Sequence, residues 1–302
     1  MIKCYAVMHM KNRTKGTAYL LLATIIWGST FIAQSVGMDH VGPFTFLALR
    51  CVLACGFLFP LSRFTDRDKD KFKAKWLDPK LWKTGLMTGF ALFMAAGLQQ
   101  VGMIYTTAGK AGFLTAMYIV LVPALGYFIG KKPPATAWIS VLVAVLGLYF
   151  LSGAGIDRIN IGDLMLIGCA FWFAVQITLV DRFGLALDGV RLNCVQSLFC
   201  GLFSGILVLF TEQISLPAIA NCWFPLAYAG ILSMGLAFTL QIYGQQLLEP
   251  TQASILMSLE SVFALIFGWL LLRERLSTFE LIGCGAMFVA VMLSQIPKKS
   301  PA

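Results

Sequence analysis

The chain is divided into apolar runs whose length suits a lipid bilayer better than water. Between charged and Pro/Gly-rich breaks, ten such runs fall near 17–36, 43–62, 84–104, 109–130, 135–152, 162–180, 191–211, 222–243, 250–272 and 278–296. A helix needs about 20 apolar residues to cross roughly 30 Å of hydrocarbon. In lipid, every backbone N–H and C=O must be satisfied within the protein, so spans of this length are expected as helices. A membrane barrel would instead show alternating segments of about 10 residues, and none is evident. Composition agrees: 59% of the 302 residues are hydrophobic and 12% are charged, with a mean hydropathy of +0.81. Soluble domains carry about 25% charged residues. The expected fold class is therefore all-α integral membrane, with ten transmembrane helices. Lys3, Lys11, Arg13 and Lys15 resemble the basic start of a signal peptide. The apolar run after them is long and lacks an A-x-A cleavage site, so it reads as a retained first span.

The net charge of +9 is explained by topology. With the N-terminus inside, eighteen Lys and Arg fall on the inner side: the four above, eight between Arg63 and Lys83, and Lys131, Lys132, Arg182, Arg191, Lys298 and Lys299. Only Lys110, Arg158, Arg273 and Arg275 fall outside. The positive-inside rule then puts both termini in the cytoplasm of a multi-pass inner-membrane protein, with no nucleic-acid partner required. Most of the cysteines fall within spans, no CxxC occurs, and the histidines are His9 and His40. That pattern suits small packing residues rather than a structural metal site, so no metal and no cofactor are expected.

Sliding the sequence on itself by 142 positions aligns Ala95–Ser152 with Ala237–Ser294 without a gap. The identities include Leu98/Leu240, Gln99/Gln241, Gly102/Gly244, Leu114/Leu256, Gly126/Gly268 and Thr136/Thr278, and the span ends coincide. The chain reads as a duplication: a cytoplasmic stretch 1–16, a first five-helix repeat 17–152, a second 162–296 and a tail 297–302. An odd number of spans per repeat makes the second copy enter from the opposite side. Inverted repeats of this kind are typical of secondary transporters, whose sites lie near the midplane between the repeats.

Three stretches carry a family resemblance. "ATIIWGSTFIAQ" (23–34), "TTAGKAGFLTAMYIVLVPALG" (106–126) and "SLESVFALIFGWLLLRERLS" (258–277) resemble EamA-domain proteins of the drug/metabolite transporter superfamily. In that family the ninth span carries a Glu, often followed by Pro, and ends in Gly-x-x-x-Leu-x-x-Glu. Glu260 and Glu274 match, while Ser261 replaces the Pro, and "GKKPP" (130–134) stands where the first copy often has a Glu. The superfamily moves amino acids, nucleobases, sugar phosphates and drugs. The resemblance implies a secondary transporter of small organic metabolites, amino acids or related amphipathic compounds, with export favoured. An importer of the same fold is the alternative, as is a signalling or structural membrane protein. Two histidines and few intramembrane acids argue against an embedded enzyme.

Several residues are out of place in hydrocarbon. An ionised side chain at the depth of Glu260 costs at least about 2.5–3.5 kcal/mol. Ala253, Met257, Glu260/Ser261, Ala264 and Gly268 trace one small-residue helix face, which lets backbones approach and turns Glu260 into the bundle. There it either joins two helices or binds a cationic group or a coupling proton. Tyr118 is its counterpart in the first copy. Pro123 is expected to kink the fourth span. Trp27, Ser29, Thr30, Trp172 and Gln176 are candidates for flat walls and hydrogen bonds, and Gln99, Gln100, Gln241 and Gln245 for neutral donors and acceptors. Arg50 lies within snorkelling reach of the outer end of the second span and reads as a pairing or gating residue, as does Glu274. Lys110 opens the fourth span, either as an interfacial anchor or as an attractor of anions. The partners expected are thus a small-molecule substrate, lipid and a coupling proton. A homodimer is left open, because lipid-facing and partner-facing helices look alike in sequence.

Overall fold

The computed structural model describes residues 2–66, 68–106, 108–130, 133–151, 160–272 and 277–294. Among these residues all regular structure is helical. The first half comprises α1 (Ile2–Met38), α2 (Pro43–Thr65), α3 (Lys69–Trp76), α4 (Pro79–Gly102), α5 (Ala108–Ala116), α6 (Tyr118–Phe128) and α7 (Ala135–Leu151). The second comprises α8 (Ile161–Phe183), α9 (Gly189–Thr211), α10 (Leu216–Asn221), α11 (Trp223–Ala227), a π-helical stretch Tyr228–Ala237, α12 (Phe238–Gln245), α13 (Pro250–Met257), α14 (Glu260–Leu272) and α15 (Thr278–Ser294).

Eight described stretches are long and apolar enough to cross a membrane: Asn12–Met38, Pro43–Phe64, Pro79–Gly102, Ala111–Phe128, Ile161–Phe183, Gly189–Thr211, Trp223–Gln245 and Pro250–Leu271. The expected fifth and tenth spans are shorter apolar helices, Ala135–Phe150 and Leu281–Ser294. The helix starts follow local chemistry. Asp78 accepts from Lys80 N with Pro79 in the first turn, so α4 begins ahead of the expected 84. Asn160 and Asp163 form a reciprocal capping box on α8, and Asp188 accepts from Arg191 N at the start of α9. The basic connector 63–83 folds its middle into α3, capped by Asp68. The first helix begins at Ile2 rather than near 17, continuous through the segment read as an N-terminal extension.

The fourth and ninth expected spans are each interrupted. At the first break Met117 N donates to Leu114 O at 3.2 Å, and at the second Leu259 N donates to Leu256 O at 3.2 Å. These i→i+3 bonds tighten one turn. Met117 and Leu259 stand 142 positions apart, as do Leu114 and Leu256. The interruption of the fourth span lies at Met117, six residues ahead of Pro123. Pro123 lies buried inside α6, beyond the break. The second copy has Leu265 at the equivalent position and breaks at the same register, so the proline does not set it. Ser254 Oγ in α13 and Ser258 Oγ just past its end donate back to Thr251 O and Ile255 O at 2.9 and 2.8 Å. Such back-bonding competes with the helical ladder and bends it.

Helix α1 packs against α14, α12 and the π-helical stretch, and α4 against α8 and α9. Helices α2 and α9 pair, as do α7 and α15. Small residues bring some of these backbones close. A Cβ at Gly28 of α1 would lie 2.5 Å from Phe263 Cβ and 2.8 Å from Ala264 N. The π-helical stretch has carbonyls that α-helical bonding would occupy, and Asn193 Nδ2 donates to Met234 O and Gly235 O at 2.9 and 2.7 Å.

Candidate functional site

The interrupted helices deliver Tyr118 and Glu260 as the first residues of α6 and α14. Tyr118 Oη donates to Glu260 Oε1 at 3.2 Å, and both residues are buried. Next to them, Ser261 Oγ donates to Gly112 O at 3.0 Å and ties α14 to α5. Tyr118 and Glu260 line a cavity shared by both halves of the chain. Helix α1 contributes Trp27, Thr30, Phe31 and Gln34, at the i, i+3, i+4, i+7 spacing of one helix face. The remaining lining comprises Arg50, Gln99, Phe173, Ile177, Ser233, Phe238, Gln241 and Met257. The cavity measures about 40 Å³. A water needs about 10–15 Å³ by this measure, so the space holds a few waters, and an organic solute would require the helices to part.

Polar groups around the cavity form two hydrogen-bonded sets, a pair around Gln99 and a chain around Gln241. Gln99 Nε2 donates to Thr115 Oγ1 at 3.3 Å. Its counterpart Gln241 donates through Nε2 to Gln176 Oε1 and Gln245 Oε1, both at 3.0 Å. Gln176 in turn donates to Gln196 at 3.3 Å, and Gln196 to Asn193 at 2.9 Å. Among the described residues, three that line the cavity keep a buried polar atom without a partner: Trp27 Nε1, Arg50 Nε and Gln241 Oε1. Buried polar atoms are rarely left unpaired, and exceptions concentrate where a ligand or water completes the bonding.

The structure separates the sequence candidates. Glu260, Tyr118, Trp27, Thr30, Gln99 and Gln241 share the cavity. Gln176 stands behind it, holding Gln241. Ser29 faces elsewhere and pairs with Tyr228 Oη at 2.5 Å. Trp172 packs edge-on against Phe90 at 5.6 Å, and its neighbour Phe173 takes the cavity wall. The snorkelling expected of Arg50 is corrected: it is 4% exposed, lines the cavity, and donates through Nη1 to Gln34 Oε1 at 2.6 Å. Its side chain turns inward because Gln34 offers an acceptor that lipid does not. Glu274 and the side chain of Lys110 lie outside the described residues. Phe31, Gln34, Phe173, Ile177, Ser233, Phe238 and Met257 also line the cavity and are absent from the sequence candidates. Gln34 was legible, since it continues the Trp27–Thr30 face by one turn.

A charged cluster lies at the end of the bundle where α2 finishes and α9 begins. Arg191 is 1% exposed, and its Nη2 reaches Asp66 Oδ2 at 2.7 Å. Its Nη1 stands 3.2 Å from Asp188 Oδ1, an ion-pair distance without hydrogen-bond alignment. Phe72 and Trp76 of α3 stack under the guanidinium at 5.3 and 5.9 Å. The hydrogen bond from Lys75, aided by Arg191, holds the Asp66 carboxyl below the usual carboxylate range.

Residues 14–153 and 160–295 each match the EamA-like transporter family. The chain belongs to that family. An uncharacterized transporter of Archaeoglobus fulgidus is 31% identical to it over 278 residues, covering 91% of this chain and 83% of the relative. The uncharacterized transporter YoaV of Bacillus subtilis is 24% identical over 273 residues, with 87% and 91% covered. The threonine/homoserine exporter RhtA of Escherichia coli is 29% identical over 181 residues, which is 57% of this chain and 58% of RhtA. A solved crystal structure superposes with a TM-score of 0.79 at 16% identity, covering 94% of this chain and 97% of the other, a likeness of fold alone. Membership makes this EamA chain a multi-pass membrane transporter of the drug/metabolite superfamily, acting on a small-molecule substrate.

Proposed function

We propose that the chain is a ten-helix secondary transporter built as two inverted five-helix repeats, 17–152 and 162–296. In this reading it moves small organic metabolites, amino acids or related amphipathic compounds, outward across the inner membrane by alternating access. Both termini lie in the cytoplasm. The observation that carries the reading is the Tyr118–Glu260 hydrogen bond, which joins equivalent residues of the two copies inside a cavity walled by both. In inverted-repeat carriers, broken helices meeting near the midplane form the substrate site. Export takes its support from the likeness to a threonine/homoserine exporter.

Roles follow from chemistry. Glu260 accepts hydrogen bonds from an ammonium group of the solute, or takes up a proton in its place, and Tyr118 holds the carboxyl in position between cycles. Trp27, Phe31, Phe173 and Phe238 supply apolar walls, while Thr30, Gln99 and Gln241 supply neutral hydrogen bonds. The narrow cavity corresponds to a contracted conformation that widens to one side at a time.

Solute counterflow in proteoliposomes tests this reading, with Glu260→Gln beside the parent over a panel of amino acids, amines, organic acids and nucleobases. The expected result is flux of at least one class by the parent and its loss in Glu260→Gln. An absence of flux across the whole panel contradicts the carrier reading, and undiminished flux in Glu260→Gln at every pH removes Glu260 from the site.

A further inference from the structure

Arg50 has no function assigned by the reading above, and its environment is unusual. It sits in the outer part of α2, 4% exposed, with no ion pair among the described residues. Among the described residues its side chain bonds to the neutral Gln34 amide, through Nη1. The Nε–H is buried and unpartnered, and the residue lines the central cavity. A guanidinium inside a membrane bundle is costly and is ordinarily found paired or in a substrate path. Its planar fork suits carboxylates, which it binds through two parallel N–H donors.

We propose that Arg50 is the anion-recognising residue of the central cavity, so that the transported solute carries a carboxylate. Gln34 occupies Nη1 and steadies the side chain, leaving Nε–H to the solute. Trp27 Nε1 is a second unpartnered donor on the same lining. The acceptors on that lining, Glu260 and the free Oε1 of Gln241, suit an ammonium group. A cavity with separate donors for an anion and acceptors for a cation selects zwitterions over either charged half. This inference rests on the carrier reading and deepens it by assigning selectivity to a residue of α2.

The test uses the full-length protein in proteoliposomes and two matched sets of solutes. One set is L-threonine, 1-amino-2-propanol and 3-hydroxybutyrate. The other is L-phenylalanine, 2-phenylethylamine and 3-phenylpropanoate. In each set the second compound lacks the carboxylate and the third lacks the amine. The parent is expected to move the zwitterion of at least one set in preference to both fragments. A charge-assisted hydrogen bond is worth roughly tenfold to a hundredfold in affinity. Arg50→Gln should therefore weaken zwitterion transport by about that factor while leaving transport of the amine intact, which also reports a folded carrier. Arg50→Lys, which keeps the charge without the fork, should retain part of the preference. If the parent moves amine and zwitterion equally, or moves other solutes but neither set, the inference is overturned and the carrier reading survives. If Arg50→Gln keeps the parent's preference, Arg50 is a helix-joining residue and the inference also falls.

Discussion

Tyr118 donates a hydrogen bond to Glu260 at 3.2 Å, and the two residues are separated by 142 positions, the offset at which the second half of the chain repeats the first. The bond joins the two positions that this offset makes equivalent, a donor in one half and an acceptor in the other. The interrupted turns that precede them, at Met117 and Leu259, bend the backbone where the pair meets.

Removing the phenol donor tests how much that contact matters. Tyr118→Phe keeps the ring and its edge-on contact with Phe173 at 6.4 Å but leaves Glu260 without this partner. A hydrogen bond of this kind contributes about 0.5–1.5 kcal/mol, so solute flux in proteoliposomes should fall about twofold to tenfold. Parent-like flux in Tyr118→Phe would show that Glu260 is positioned by other groups.

At the other end of α2, one carboxylate fastens the two halves together. Glu212, just past α9, accepts from Phe44 N and Thr45 N at 2.8 Å each, capping the start of a helix that belongs to the first half. Loss of such a cap costs about 0.5–2 kcal/mol. Glu212→Ala should lower the melting temperature in detergent, and Glu212→Gln should lower it less. Unchanged melting in both would mean that Pro43 and water suffice at this end.

Close helix contact makes a second stability prediction. Gly28→Ala forces a methyl group against Phe263 and the backbone of Ala264, an overpacking that costs about 1–3 kcal/mol. Gly205→Ala in α9 meets nothing within 4 Å, and there alanine's higher helix propensity is worth up to about 1 kcal/mol. Melting temperatures should therefore move in opposite directions. A fall of equal size in both would point to helix flexibility, not packing, as the role of these glycines.

The Asp66 cluster should reveal itself through pH. Folding lowers the Asp66 pKa through the Lys75 hydrogen bond, with Arg191 adding to it. A carboxylate of this kind stabilises the fold above its unfolded pKa, about 3.9, and the contribution disappears as pH falls through the folded value. Asp66→Asn should therefore melt below the parent at pH 7, with the gap closing as the pH approaches 3. A gap independent of pH would assign the effect to packing.

Much of this architecture was legible because lipid imposes strict rules on sequence. Hydropathy marks the long helices, and the repeat offset makes Tyr118 and Glu260 equivalents before any coordinates are known. The failures are matters of phase and partner. Trp172 and Gln176 each stand one residue from a lining position, Phe173 and Ile177. One residue turns a helical side chain by about 100°, and apolar helices lack the polar stripe that would fix that angle. Arg50 depends on a partner from another helix, Gln34, which no local pattern predicts. The π-helical stretch 228–237 lies almost wholly ahead of the repeat alignment, which begins at Ala95/Ala237, and its counterpart at the same offset lies within the α-helical α4, so the repeat gives no sign of it.

In the proposed carrier, one cavity between the two halves serves both faces of the membrane in turn. Thr30 lines it and is 1% exposed, so a single cysteine at Thr30→Cys, in a chain with its native cysteines replaced, reports on access most directly. A membrane-impermeant maleimide is applied to sealed vesicles of either orientation, with and without a transported solute. The account predicts labelling from both faces, slowed by solute. Labelling from one face alone regardless of solute, or from neither, would contradict it.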